Sequence, residues 1–248
     1  MRHLELVMGV PMSVDVRHGG EDRDGADVQR VVRAAFDAMH DADRRFSRFR
    51  PDSEVSRHDR GEHDEPSDDL REVLAIAARY GAASGGAFSV RRPDGSLDTD
   101  GVVKGWAAQR AADTLVAAGL TTFCLNAGGD VVVRGEPEPG RGWNVGVRDP
   151  ADPQAFLTVL EVRDGAVATS GTYERGAHVW DGRTGEPATA LRAATVVAAD
   201  LTTADVLATC VLALGVPGVA WATDHGAAAV LAVAADGRLV TTVPTAAV

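Results

Sequence analysis

Cysteine is scarce in this chain: 248 residues contain two, Cys124 and Cys210, both in apolar segments. That excludes a disulfide framework or a cysteine-based zinc site and predicts two buried thiols. Aromatic residues make up only 5%, too few for a stacking platform that would hold single-stranded nucleic acid. No apolar run reaches the roughly 18 residues needed to span a membrane. The segment Met1–Met8 has neither an apolar signal core nor a cleavage site, and no lipobox cysteine follows it. A cytoplasmic protein without membrane contact is therefore expected. Gly-x-Gly-x-x-Gly after a strand and Gly-x-x-x-x-Gly-Lys-Ser/Thr are both missing, which removes the Rossmann and P-loop readings. Positive charge is also short, with 25 Lys and Arg against 36 Asp and Glu, net −11. The arginines of 41–50 and 91–92 are interleaved with acids, so no basic patch for a phosphate backbone appears and no nucleic-acid partner is expected. An anionic ligand would have to bring a cation or meet a nest of backbone N–H groups.

What remains is an ordinary globular composition, 45% apolar and 25% charged, long enough for one α+β domain of two lobes over residues 1–248. Leu4–Val16 reads as a strand bent near Pro11. Apolar spacing predicts helices over Ala26–Phe46, Ser67–Tyr80 with Ser67 as N-cap, Val103–Ala118, Thr202–Leu214 closed by Gly215, and Ala220–Thr223. Arg50–Pro66 and the glycine-rich Gly81–Asp100 read as irregular. Short strands are predicted at Thr122–Asn126, Asp130–Arg134, Trp143–Arg148, Phe156–Val162, Ala166–Ser170, His178–Trp180, Ala194–Ala198, Ala228–Val233 and Leu239–Val243. Helices over mostly antiparallel, mixed sheets give an α+β fold.

Three constellations could carry chemistry. Asp205 and Thr209 are four residues apart on a helix and share a face. A carboxylate with a hydroxyl suits a hard cation such as Mg²⁺, although the same pair also suits a helix-start Asp on the dipole and a Thr bonded back to its own helix. Asn126-Ala-Gly-Gly-Asp130 joins two strands through paired glycines, whose N–H groups can approach an anion or simply make a tight turn. His178-Val-Trp-Asp-Gly-Arg-Thr-Gly185 sets a histidine and an aspartate beside a turn, after the hydroxyl-rich Ser170–Arg175.

Taken singly these are weak, but their order is specific. Met8-Gly-Val-Pro-Met12, Phe46–Ser56, Gly85-Gly-Ala-Phe88, Val103-Lys-Gly-Trp-Ala107, Asn126–Asp130, Ala168-Thr-Ser-Gly171, His178–Gly185 and Ala204–Thr209 resemble the ordered motifs of the FAD:protein FMN transferases, the ApbE family. The resemblance spans about residues 5 to 245. It implies a mixed α+β fold with FAD in a cleft, Mg²⁺ at the pyrophosphate, and an FMN phosphoester formed on a Thr or Ser of an acceptor protein, with AMP released. It implies Asp205, Thr209 and the Val103 carbonyl as metal ligands. Met8 and Asp52–Ser56, including Ser53 and Ser56, would lie at the flavin end. Asn126, Gly128, Gly129 and Asp130 would approach the nucleotide, and Lys104, Ser170 and Gly171 would also bind the cofactor. His178 would be the proton-transfer group, with Arg183 and Thr184 in its supporting turn.

The chain departs from the family pattern at Ser89, where Asp is usual; at Gln109, also usually Asp; at Asp59, usually Asn; and at Gly182, usually Pro. The segments around Val90–Leu97 and between Arg175 and His178 are short. These departures bear on flavin contacts and acceptor docking. Two rival readings share the motifs: hydrolysis of FAD to FMN and AMP, and flavin binding without turnover.

Overall fold

Strand β1 (Arg2–Val7) pairs antiparallel with β2 (Val10–His18), Val7 opposite Val10. The predicted single bent strand is thus two strands. The chain reverses at Met8 and Gly9, whose φ values of 52° and 73° meet the demand of a type I′ turn for left-handed backbone at both central positions. Pro11 lies within β2, after the reversal. The computed structural model describes residues 1–18, 24–62, 65–152, 154–172 and 179–242.

Helix α1 (Gly25–Phe46) buries Val32, Phe36, Met39 and Phe46 along one face, and Asp24 caps it through Ala26 N at 3.2 Å. Within the stretch expected to be irregular, α2 (Glu54–Asp59) forms because Ser53 Oγ accepts from Ser56 N at 3.1 Å, a Ser cap followed by an acidic first turn. Arg45 joins three elements here, reaching Glu54 at 3.0 Å, Asp69 at 2.7 Å and Ser67 Oγ at 2.8 Å. Ser67 caps α3 (Asp68–Ala83) as expected, through Leu70 N at 3.2 Å. Helix α4 (Asp100–Ala117) starts three residues before its expected start.

Strands β3 (Thr122–Ala127), β4 (Asp130–Arg134), β5 (Trp143–Arg148), β6 (Phe156–Val162), β7 (Gly165–Gly171) and β8 (Leu191–Ala198) follow. Then come α5 (Leu201–Leu214), α6 (Pro217–Asp224), β9 (Ala229–Ala234) and β10 (Leu239–Thr241). Eight strands form one sheet in the order β1-β2-β3-β4-β7-β8-β9-β10, and every pair is antiparallel. Helices α1, α4 and α5 cover one face, sharing a core with Val14, Phe123, Leu125, Val132, Ala168 and Val196. The β5–β6 ribbon covers part of the other, where Val145, Leu160 and Val162 meet Val131 and Val167. This is the expected α+β arrangement. Around Trp180 the described residues form only an isolated bridge to Pro187, not a strand. Both cysteines are free thiols; Cys210 is fully buried, and Cys124 is half-buried beneath the ribbon, where burial pushes its thiol up to about 11.

Candidate active site

Helices α4 and α5 touch at Gly105. A Cβ there would lie 2.7 Å from Asp205 Cβ and 2.8 Å from the Leu201 carbonyl, so only glycine permits the contact. The close approach lets Gly105 N donate to Asp205 Oδ2 at 2.9 Å. Asp205 is 3% exposed in the second turn of α5. The helix start is served instead by Asp200, whose Oδ1 accepts from Thr203 N at 2.8 Å. Asp205 is therefore not held there by capping.

Lys104, next in sequence to Gly105, carries its ammonium between two carboxylates. It is 3.1 Å from Asp205 Oδ2 and pairs directly with Asp130. Asp130 is also 3% exposed and anchors the sheet by accepting from Thr169 N at 2.8 Å. One helical turn beyond Asp205, Thr209 Oγ1 donates to the Asp205 carbonyl at 3.2 Å and lies 3.1 Å from Ser170 Oγ. Four elements (α4, α5, β4 and β7) thus bring an ammonium, two buried carboxylates and two hydroxyls to one wall of a cleft of about 560 Å³. The helix-bonded Thr expected as the bland alternative is present, yet its oxygen still faces Ser170.

The donors are hard oxygens, and a cation already bridges the two acids. Among the described residues no group of three or more His, Cys, Asp or Glu could hold a metal. Such a site suits Mg²⁺ completed by water and ligand phosphates, which needs only one or two protein carboxylates, and does not suit an all-protein cage.

Of the expected residues, Lys104, Gly128, Asp130, Ser170, Gly171, Asp205 and Thr209 line this cleft. Gly128 and Gly129, with φ of 66° and 106°, make the two-residue β3–β4 turn, and Asn126 Oδ1 accepts from Gly129 N at 2.9 Å. That turn packs on the first hairpin: Gly128 N donates to the Pro11 carbonyl at 3.1 Å, and a Cβ on Gly128 would meet Val10 at 2.9 Å. Met8 belongs to the neighbouring turn and does not line the cleft. Neither do Ser53 and Ser56, which cap α2 and hold the preceding loop, Ser56 Oγ reaching the Arg48 carbonyl at 3.5 Å. Val103 is buried in α4 and its side chain is part of the core. Arg183 and Thr184 sit outside the cleft, in a turn closed by Gly185 N to the Asp181 carbonyl at 2.7 Å. Arg183 hydrogen bonds hold the Asp181 carboxyl below its usual range. His178 lies outside the described residues, while Val179 and Trp180 line the cleft.

The sequence reading missed Arg48, Phe49, Arg92, Asp98 and Trp180 as cleft-lining groups. Arg48 and Phe49 lie within the Phe46–Ser56 motif and Trp180 within His178–Gly185. Arg92 and Asp98 carried no local signal, because a hairpin bridged at Arg91 and Leu97 brings them to the cleft.

Comparison with known proteins places this chain in a family. The ApbE family model matches residues 8–92 and 89–231. A FAD:protein FMN transferase of Klebsiella pneumoniae is 33% identical over 137 residues, 51% of this chain and 42% of the relative. One from Treponema pallidum is 32% identical over 174 residues, 60% of this chain and 48% of the relative. Each of these alignments therefore takes in less than half of the relative's length. The flavin transferase ApbE of Vibrio cholerae superposes with a TM-score of 0.82 at 22% identity, covering 97% of this chain and 96% of that one. The apo flavinyl transferase ApbE of Pseudomonas stutzeri gives 0.81 at 23% identity, covering 98% and 93%. At these identities the superpositions establish the shared fold.

Proposed function

The chain belongs to the ApbE family, and from that premise we propose that it binds FAD in this cleft and transfers the FMN half onto a Thr or Ser hydroxyl of an acceptor protein. The observation that carries the proposal is the sharing of the Lys104 ammonium by Asp130 and Asp205, beside the Ser170–Thr209 hydroxyl pair. An apolar binding pocket has no need for two nearly buried carboxylates tied to one lysine. A site that handles a pyrophosphate with a cation does.

In this proposal Asp205, Thr209 and the Val103 carbonyl hold Mg²⁺, and Lys104, Asn126, Gly128, Gly129, Asp130, Ser170 and Gly171 orient the nucleotide. Met8 and the Ser53–Ser56 helix start support the flavin end, and Arg183 and Thr184 the turn after His178. When bound, the ion offsets negative charge developing on the phosphate oxygens. The acceptor oxygen bonds to the flavin-side phosphorus, the bond from that phosphorus to the bridging oxygen breaks, and AMP leaves with that oxygen. The acceptor proton passes to His178, whose chain neighbours Val179 and Trp180 line the cleft. The net charge of −11 makes a cation at this anion site more necessary. The protein is proposed to act in the cytoplasm.

Incubation with FAD, MgCl₂ and candidate acceptors should release AMP and give an acceptor band fluorescent for flavin in denaturing gels. Asp205→Asn keeps an acceptor for Gly105 N while removing the charge, so it should fold normally and lose Mg²⁺-dependent turnover. His178→Ala should bind FAD with near-normal affinity and lose about 10²- to 10⁴-fold in rate. Full turnover of Asp205→Asn in Mg²⁺ would overturn the metal assignment. AMP release without acceptor labelling would make the protein a FAD hydrolase.

A further inference from the structure

Just before α4, one buried carboxylate joins two segments that are distant in sequence. Asp98 is 8% exposed. Its Oδ2 lies 3.0 Å from Arg92 Nη1 and 3.2 Å from Arg48 Nε. Its Oδ1 accepts from Asp100 N at 3.1 Å, at the start of α4. Each arginine covers an aromatic ring: Arg48 sits 4.1 Å from the Phe49 centroid and Arg92 5.2 Å from that of Trp180. All five side chains line the cleft.

Charge decides what this wall can hold. Asp100 Oδ2 lies 3.6 Å from Arg48 Nε, so two guanidiniums meet two carboxylates and little net positive charge remains for a phosphate. What the cluster presents is two flat guanidinium–aromatic units. Phe49 is 74% exposed and lines the cleft, so its ring is open to a ligand bound there. Guanidinium planes and aromatic faces both stack on planar heteroaromatic rings.

We propose that Asp98 is a positioning residue that fixes Arg48 over Phe49 and Arg92 over Trp180 as a stacking surface for one planar ring of the bound dinucleotide. This rests on the cleft taking FAD. The ring is either the flavin or the adenine, and the ligands FMN and ADP separate the two. Asp98→Asn keeps the Asp100 N–H acceptor and the size of the side chain, and replaces the charged oxygen that faces both arginines with a neutral NH₂.

The test is titration of FAD, FMN and ADP into the full-length protein in the presence of EDTA, followed by tryptophan fluorescence. Asp98→Asn should weaken FAD by about ten-fold, the scale of a desolvated cation–π contact. It should weaken only one of FMN and ADP to a similar extent and leave the other within two-fold. Arg92→Gln, on a partly exposed side chain, should reproduce that selectivity, and the double variant should add little to either single one. Unchanged affinities for all three ligands in both variants would overturn the proposal, as would an equal loss for all three. Wild-type protein that fails to bind FAD would instead overturn the functional reading.

Discussion

At Gly105 an added methyl group would press on Asp205 Cβ and the Leu201 carbonyl at 2.7 and 2.8 Å, and neither can withdraw without parting α4 from α5. At Gly101, one turn earlier, the nearest atom to an added Cβ is Phe88 Cε2 at 3.5 Å, an ordinary contact. The same substitution should therefore have opposite signs in one helix. Gly105→Ala is expected to lose about 1–3 kcal/mol by overpacking, and Gly101→Ala to be neutral or to gain up to about 1 kcal/mol from the unfolded chain's lost freedom. Urea midpoints at constant slope measure both, and equal midpoints would remove the steric account of the Lys104-Gly105 motif. Two departures from the family pattern meet at this scale too. A Cβ on Gly182 would lie 2.4 Å from the Gly86 carbonyl and 2.7 Å from Ser89 Cβ, so the glycine and the small Ser89 are packed together.

Between elements, Gln109 and Asp59 show other departures serving as links. Gln109 Oε1 accepts from Leu201 N at 2.8 Å, satisfying a buried N–H at the start of α5. Asp59 pairs with Arg91 and accepts from Leu97 N at 3.0 Å, which holds the hairpin carrying Arg92 and leading into Asp98. At the β1 edge of the sheet, Glu5 ties β1 to α1, with Oε2 2.6 Å from His40 Nε2 and Oε1 2.7 Å from His3 Nε2. The hydrogen bonds from His40 and then His3 hold the Glu5 carboxyl below its usual range. A carboxylate lowered by folding stabilises the fold above its unfolded value, about 4.3, and that stability is lost as pH falls through the lower folded value. The stability gap between wild type and Glu5→Gln should therefore be full near pH 6 and close toward pH 3 in urea titrations. A gap independent of pH would show that the carboxylate charge has no part in the link.

For the whole molecule, the cleft draws its walls from the helices over the sheet, the strands β4 and β7, and the loops around residues 48 and 92. A ligand that binds there stabilises every element it joins, because it binds the folded state alone. FAD with MgCl₂ at about 100 times its dissociation constant should add about 2.7 kcal/mol, which for a chain of this size raises Tm by roughly 5–10 °C. EDTA should remove part of the shift, and Asp205→Asn should remove the same part without EDTA. A Tm that FAD does not move, with or without Mg²⁺, would take the dinucleotide out of this cleft.

The chain's sequence by itself determined most of its helices and strands, the caps Ser67 and Gly215, and the turn at Gly128-Gly129. Each depends on residues within a few positions of one another. The left-handed turn at Met8-Gly9 and the short helix behind Ser53 escaped it, since a non-glycine residue at positive φ and a six-residue helix leave little pattern. The motif order also indicated the family and the wall made by Lys104, Asp130, Asp205 and Thr209. Only the tertiary structure decided that Ser53 and Ser56 support the cleft from outside, and that Asp98 gathers arginines 50 and 6 residues before it. Which side chains share a cavity depends on how helices cross and hairpins fold back, and those contacts between distant residues have no short-range signature.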